Sequence, residues 1–512
     1  MNAILADLLN LGSALKAHVV LSAAALGLGI LIALPMIVWS ARSRQVARIS
    51  LGLAGLVQTI PALALLALFY PFLLSVSAIL GGGIPALGFL PALLALGLYA
   101  VLPILRNGVT GLAQLDPAAR EAADAMGMTA TQKLRWVEAP LAAPFVMAGI
   151  RTAAVWTIGA ATLSTTVGAQ SLGDAIFTGL QTEDWALVLA GCIGSAALAL
   201  VTDALLGLVE RGLANRRRWM TWLGAAIAAA GIAWALLPGG AGTARPVLTV
   251  GAKGYTEQYI LARLLGDKLT EAGFDVRYRQ GLGSAVIFKA LQRGDIDVYV
   301  DYSGTLWTNE MRRTDKAGRQ QMIDDISGWM DRQGHGRLIG ALGFENVYAF
   351  AMRSDEAKRL GIRNLEDLAS KSRQLSMGTD LEFLNRPEWA AVKRAYPMHF
   401  RMKRRYNPTF MYKAVKSGAV DTITAFSSDG RIAAYDLTVL DDPEEAIPHY
   451  DAVVLASPRC MTNQKCVGAI RPLLGKIDVK TMRAANVLVS RDSDKQSPRQ
   501  AAAWLAQQID RR

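Results

Sequence analysis

The sequence predicts an α-helical membrane region of six spans followed by a water-soluble α/β domain of two lobes. Three observations carry this. Long apolar segments stop near Leu237, Lys and Arg gather in alternate links between those segments, and strand-like and helix-like stretches alternate from Val247 onward. The segments are His18–Trp39, Ile49–Leu74, Ile79–Leu105, Leu141–Ala169, Trp185–Val209 and Trp219–Leu237. Each is close to or above the ~20 apolar residues that carry a helix across a bilayer. Buried helices of one large soluble protein would have to be nearly free of charge in every segment, so the segments read as spans. The expected regions are therefore 1–238 in the membrane, a Gly/Pro-rich linker at 239–246, and 247–512 in water.

Charge sets the expected orientation. Arg42, Arg44 and Arg48 follow the first segment; Arg106, Arg120, Lys133 and Arg135 follow the third; Arg211 and Arg216–Arg218 follow the fifth. The links Ser75–Ala78 and Gln170–Asp184 hold no Lys or Arg, and the second carries Asp174, Glu183 and Asp184. The positive-inside rule places the basic links in the cytoplasm and both ends of the membrane region outside. The first segment lacks a preceding basic region and a following A-x-A-like site, so it reads as a retained helix. The expected location is the inner membrane, multi-pass, with the carboxy-terminal domain in the periplasm or outside.

Mean hydropathy of +0.26 averages an apolar half with a polar one. A net charge of +12 would suit a nucleic-acid partner. Many of the arginines, however, fall in short links where topology accounts for them, and no basic helix is interleaved with aromatics. Lipid is the expected surrounding and nucleic acid is not an expected partner. Of three cysteines, Cys192 inside the fifth segment reads as a small apolar packing residue. Cys460 and Cys466 lie in the exported half, where an oxidising compartment permits a disulfide that the sequence alone leaves open. A C-x5-C pair without a second pair nearby gives no expectation of zinc or another metal.

In the exported half, Val247–Val250 reads as a strand and Thr256 as the N-cap of a helix to about Leu269, with Glu257 in its first turn. Asp275–Tyr278 and Ile296–Tyr299 read as strands flanking a helix at Ala285–Leu291. Such alternation predicts a mostly parallel sheet with helices on its faces. Roughly 270 residues allow two lobes, expected at about 247–342 plus the carboxy-terminal stretch and at about 345–445. A chain that leaves one lobe and returns to it makes two crossovers, with a ligand cleft between the lobes.

The link between the third and fourth segments has its own pattern. Asp116 and Pro117 start a helix as N-cap and first residue. Ala118–Met126 is rich in helix formers and Gly127 stops it. A second helix, about Thr129–Val137, is expected to end before Pro140. A helix–turn–helix tethered at both ends suits docking into a groove on a partner. The stretch resembles the coupling loop of ABC importer permeases, E-A-A-x3-G-x9-I-x-L-P. Glu121, Ala122, Ala123, Gly127 and Pro140 match it, with Val137 and Ala139 in the Ile and Leu places. The resemblance implies a membrane domain of ABC importer permease type, whose loop receives motion from an ATP-binding subunit. No G-x4-G-K-[S/T] phosphate loop occurs, so ATP is expected to be used by a separate subunit and no cofactor is expected in this chain.

Aromatics stand at loop–strand junctions in Asp301-Tyr302-Ser-Gly-Thr305, Phe344-Glu-Asn346-Val-Tyr348, Phe426-Ser-Ser-Asp429-Gly430-Arg431 and Pro448-His-Tyr450. Ring faces gathered round a quaternary ammonium attract it by roughly 0.5–2 kcal/mol each. With Gly251-Ala-Lys253-Gly-Tyr-Thr256-Glu-Gln258, these stretches resemble the substrate-binding proteins of the glycine betaine/carnitine/choline ABC importers over nearly all of 247–512. The resemblance implies a periplasmic binding protein domain in which Tyr302, Tyr348, Phe426 and Tyr450 cage the cation. Tyr412 or Tyr435 is the alternative for one of the last two positions. It implies further that Lys253, Thr305 and Arg386 hold a carboxylate. Phe426 stands where the cage often has Tyr, and Asn346 where some relatives have an acid. The implied function is not enzymatic. It is the fused permease and binding subunit of an importer for glycine betaine, choline, carnitine or ergothioneine, working as a homodimer with an ABC ATP-binding subunit. A membrane-tethered receptor or osmosensor is the rival reading, though it has no use for a coupling loop. An importer of an ordinary amino acid is another, and needs a carboxylate facing a primary ammonium.

Overall fold

The computed structural model describes residues 8, 11–81, 83–182, 184–237, 245–313, 315–334, 336–491 and 494–511. Glu183 and residues 239–244 of the expected linker lie outside them. The described residues fall into two compact units, one drawn from 1–177 and 185–241, the other from 178–184 and 242–512.

In the first unit, six helices are long and apolar enough to span a membrane: Gly12–Arg42, Ala62–Ile79, Phe89–Ala113, Ala130–Val167 taken as one, Trp185–Ala214 and Arg218–Leu236. The second expected segment is broken. Arg44–Thr59 and Ala62–Ile79 are separate helices because Ile60, just before Pro61, is extended (φ −75°, ψ 125°), as the proline ring requires of its predecessor. The third span begins only at Phe89, after Gly81 and Gly83 take positive φ. The helix expected to end before Pro140 continues instead. Leu134–Glu138 forms a wider π turn that joins Ala130–Lys133 to Ala139–Ala161, and this relieves the clash of a proline ring with the carbonyl one turn back.

Small residues let these helices touch. A Cβ on Gly29 would lie 2.6 Å from Ala100 Cβ, and one on Gly149 would lie 2.8 Å from the Pro103 carbonyl, the close approach that membrane helices use in place of hydrophobic collapse. His18 is fully buried, its two ring nitrogens meeting the Ile158 carbonyl and the Leu172 N–H. Arg151 is bidentate to Asp203 and also reaches Glu210. This ties the Ala139–Ala161 helix to Trp185–Ala214 with a neutralised charge cluster. Cys192 departs from its expected packing role: it is exposed, on the same helix face region as exposed Leu189 and Ile193.

The second unit holds two five-stranded sheets among the described residues. The strands are β1 (Val247–Lys253), β2 (Asp275–Leu282), β3 (Val298–Tyr302), β4 (Arg337–Glu345), β5 (Tyr348–Arg353), β6 (Ser376–Thr379), β7 (Met402–Arg405), β8 (Thr422–Phe426), β9 (Leu437–Val439) and β10 (Asp451–Ala456). Their orders are β2-β1-β3-β10-β4 and β7-β6-β8-β5-β9. Each sheet is mixed rather than mostly parallel. β1 runs parallel to β2 and β3, but β10 is antiparallel to β3 and β4. Likewise β6 is parallel to β7 and β8 while β5 is antiparallel to β8 and β9. The strands that carry the chain between lobes enter against the grain of those built by local crossovers, which is the physical reason for the mixture. The two crossings, 345–348 and 440–450, are bonded to each other by the Asn346 N–H and the Tyr450 carbonyl at 2.9 Å.

Thr256 is not the cap of the first helix of this unit. Tyr255 holds the N-cap position with extended backbone, and the helix is Thr256–Glu271. Its inner face, including Tyr259, Ile260, Leu264 and Leu265, belongs to the principal core. Cys460 and Cys466 are disulfide-bonded, with Cα atoms 5.4 Å apart.

Candidate functional site

Strand ends place the aromatics. Tyr302 ends β3, Tyr348 begins β5, Phe426 ends β8, and Tyr450 directly precedes β10. Tyr348 and Phe426 are cross-strand partners, which brings their rings to 5.2 Å at a 44° tilt, within the usual range for such pairs. Tyr348 also meets Tyr450 edge-to-face, with centroids 5.9 Å apart. Tyr302 joins the set through Tyr255, whose ring lies 6.4 Å from Tyr302 and 5.5 Å from Phe426. Tyr412 and Tyr435 lie elsewhere. Tyr412 is packed in the core behind β8, its hydroxyl accepting the Phe426 N–H at 2.8 Å, and Tyr435 lies under Lys416.

Of the three polar residues expected around a carboxylate, Lys253 ends β1, Thr305 closes the short helix Ser303–Thr305 that follows β3, and Arg386 is the N-cap of the helix Pro387–Ala395. Lys253 donates to Asp301 at 2.5 Å and stands 5.5 Å from the Tyr302 ring. Arg386 stands 5.3 Å from the Tyr348 ring. Its guanidinium reaches Glu388 at 2.9 Å, Tyr450 Oη at 3.3 Å, Thr305 Oγ1 at 3.4 Å and Glu382 at 3.3 Å. Burial pushes the phenols of Tyr302, Tyr348 and Tyr450 well above their ordinary value, so these rings stay neutral and keep their donors.

Four further residues of the site were not singled out by the sequence: Tyr255, Glu257, Asp380 and Glu388. All three carboxylates are buried and supplied with protein donors. Glu257 accepts from Tyr302 Oη at 2.5 Å, Asn346 Nδ2 at 3.1 Å, Asn486 Nδ2 at 3.0 Å and Ser428 Oγ. Asp380 accepts from Tyr348 Oη at 2.6 Å and from the N–H groups of Glu382 and Phe383 at 2.7 Å. Glu388 accepts from Arg386, Thr308 and Tyr450. Burial raises the pKa of Glu257 and Asp380. Burial acts the same way on Glu388, but Arg386 outweighs it and holds that carboxyl below its usual range. Glu388 was within reach of sequence reasoning, two residues beyond Arg386. Asp380 carries no sequence signal.

A cavity of about 730 Å³ lies against the crossing at 440–449 and is lined by Trp307, Glu388, Asp441 and Pro448; of the ring set it touches only Tyr348. Beside Tyr255, Glu257, Asn346 and Phe426 the free space is about 10 Å³.

In the membrane unit the loop at 116–140 is stiffened from within. Asp116 caps the helix Pro117–Ala125 through the Ala118 N–H at 2.9 Å. Gly127 takes φ +71°, a conformation that suits glycine. Thr129 and Gln132 form a capping box. Arg120 pairs with Glu138 at 3.0 Å and Lys133 with Asp124 at 2.7 Å. Glu121, Ala122 and Gly127 are exposed, whereas Ala123 is fully buried. The loop therefore presents Glu121 and Ala122 outward, and Ala123 anchors them.

Two family models match this chain. Residues 246–507 match the substrate binding domain of ABC-type glycine betaine transport systems, and residues 25–215 match the inner membrane component of binding-protein-dependent transport systems. The chain belongs to the glycine betaine family of ABC importers. It joins the permease and the substrate-binding domain of that family in one membrane-anchored polypeptide, and such a permease works with an ATP-binding subunit. It is 28% identical to the ergothioneine transport permease/ergothioneine binding protein EgtU of Helicobacter pylori (strain G27), over 86% of this chain and 80% of that one. It is 39% identical to the choline transport system permease protein OpuBB of Bacillus subtilis (strain 168), over 38% of this chain and 85% of that one. It is 42% identical to the osmoprotectant import permease protein OsmW of Salmonella typhimurium (strain LT2), over 37% of this chain and 85% of that one. These relatives are transporters.

Proposed function

We propose that the exported domain captures a trimethylammonium compound of the glycine betaine, choline, carnitine or ergothioneine class. Tyr302, Tyr348, Phe426 and Tyr450 offer ring faces to the cation, and Lys253, Thr305 and Arg386 offer donors to a carboxylate. The observation that carries this reading is the state of the buried acids. Glu257, Asp380 and Glu388 already accept three or four donors each from the protein. A primary ammonium needs free acceptors, whereas a quaternary one has no N–H to donate and is served by ring quadrupoles. The same observation disfavours an ordinary amino acid as substrate.

Two copies of the chain supply the two permease halves of the pore. The ATPase docks against Glu121 and Ala122, held by Ala123 and Gly127, and this chain itself carries no cofactor. Calorimetry on the full chain in lipid nanodiscs, with glycine betaine, choline, carnitine, ergothioneine and methionine, tests the ligand class. Binding of methionine in preference to all four quaternary compounds overturns it. ATP-dependent uptake by vesicles containing the chain and its ATPase separates import from sensing.

A further inference from the structure

We propose that Tyr255 is a displaceable occupant of the ring set, filling the space between Tyr302 and Phe426 that a ligand's trimethylammonium group takes. The inference rests on the cage reading above and extends it: ligand and Tyr255 compete for the same face of Phe426, so Tyr255 sets the affinity.

The argument is geometric. Tyr255 belongs to the first lobe and Phe426 to the second, yet their rings lie nearly flat on one another, centroids 5.5 Å apart and planes 9° from parallel. Tyr302 adjoins Tyr255 as well, with centroids 6.4 Å apart, planes 28° from parallel and the Tyr255 hydroxyl donating to that of Tyr302. A wall of a cage presents one face to its guest; Tyr255 instead has the Phe426 ring stacked against it. Carbon atoms in contact stand roughly 3.5–4.0 Å apart. Two rings that hold a cation between them must therefore be separated by about twice that distance plus the width of the ion. At 5.5 Å nothing fits between Tyr255 and Phe426. The adjoining space of about 10 Å³ holds at most one water.

Tyr255 is placed to move. It occupies the N-cap position, with extended backbone (φ −152°, ψ 159°) and no side-chain capping bond. Turning its ring away therefore breaks no helical hydrogen bond. Its hydroxyl is held by another phenol, that of Tyr302, whereas Tyr302 and Tyr348 are pinned through their hydroxyls to the buried acids Glu257 and Asp380. The ring set thus combines members anchored on carboxylates with one that is held more weakly.

The test is calorimetry of the full chain in nanodiscs with glycine betaine and choline as probes. Tyr255→Ala and Tyr255→Leu should bind both about two- to ten-fold more tightly, because an aromatic stack no longer has to be broken. Tyr255→Phe keeps the stack but loses the hydroxyl's bond to Tyr302, and should fall between the wild type and Tyr255→Ala. Tyr255→Trp enlarges the competing surface and should weaken binding, while the tightening expected of Tyr255→Ala and Tyr255→Leu is a direction that poor folding cannot produce. Weaker binding by Tyr255→Ala makes Tyr255 a wall and overturns the proposal; unchanged binding overturns it as well. Tyr348→Ala separates the two readings. If it weakens binding while Tyr255→Ala fails to tighten it, only the displacement idea falls. If Tyr348→Ala leaves affinity unchanged, the cage reading fails and takes this proposal with it.

Discussion

Replacing Tyr302 by phenylalanine separates what its ring does from what its hydroxyl does. The hydroxyl donates to Glu257 at 2.5 Å and accepts from Gln258 Nε2 at 3.1 Å. Gln258 keeps a second acceptor in the Val300 carbonyl, but Glu257, only 3% exposed, loses one of four donors. A hydrogen bond to a charged group is worth about 1.5–3 kcal/mol, and the acid cannot turn to water for a replacement. Tyr302→Phe should therefore destabilise the binding unit by about that amount, lowering its unfolding temperature by roughly 3–12 °C. Affinity for a trimethylammonium ligand should hardly change, since the ring remains. Tyr302→Ala should cost a further ~1–2 kcal/mol of binding, about five- to thirty-fold. Scanning calorimetry and ligand titration of both variants read the two quantities independently. If Tyr302→Phe weakens binding as much as Tyr302→Ala, recognition runs through the hydroxyl and the ring argument fails. If its unfolding temperature does not move, the Glu257 bond is not worth the assigned energy.

Other consequences can be checked in the same way. Arg386→Ala strands Glu388, which is 1% exposed; breaking a buried pair costs about 3–5 kcal/mol, so both glycine betaine and choline should bind less well to an unstable protein. Arg386→Ala combined with Glu388→Ala should recover stability and choline binding, yet stay weak for glycine betaine, as titration against both ligands would show. Glu121→Lys should leave ligand binding intact and abolish ligand-stimulated ATP hydrolysis in vesicles; undiminished hydrolysis would remove the docking role of the loop. Glu310, pushed up to about 7 by burial and then by Asp301, holds its proton more tightly when folded. Its contribution to stability is full below about 4.5 and lost as pH rises through about 7. Unfolding curves across that window should show stability falling with pH, and Glu310→Gln should flatten the fall.

The parts of this molecule set by local pattern were legible in the sequence. Runs without charge gave the spans, Asp116-Pro117 and Gly127 gave the ends of the loop helix, and alternation gave the α/β lobes. What escaped depended on longer-range geometry. Ile60-Pro61 sits inside a run of apolar residues, where hydropathy does not register a break. Pro140 reads locally as a stop, but a π turn accommodates it. The antiparallel course of β5 and β10 follows from how the chain re-enters each lobe, which no local window contains. At the site, rings at strand ends were conspicuous because turns seldom carry them. Glu257 looked like an ordinary first-turn acid, and only folding brings Asn346, Ser428 and Asn486 to it.

The division of the rings has a thermodynamic consequence. Tyr302 and Tyr450 are carried by the first sheet, Tyr348 and Phe426 by the second. On the proposed cage, neither lobe alone would present more than half of a cation's surroundings, so occupancy and lobe closure would be one equilibrium. Measured affinity is then the intrinsic affinity scaled by the fraction of molecules whose lobes are together. A substitution in the 345–348 or 440–450 crossing that touches no ring should therefore retune every ligand by the same factor, leaving their ranking unchanged. On that reading selectivity would lie in the rings, and the working range of concentration in the two strands of chain that join them.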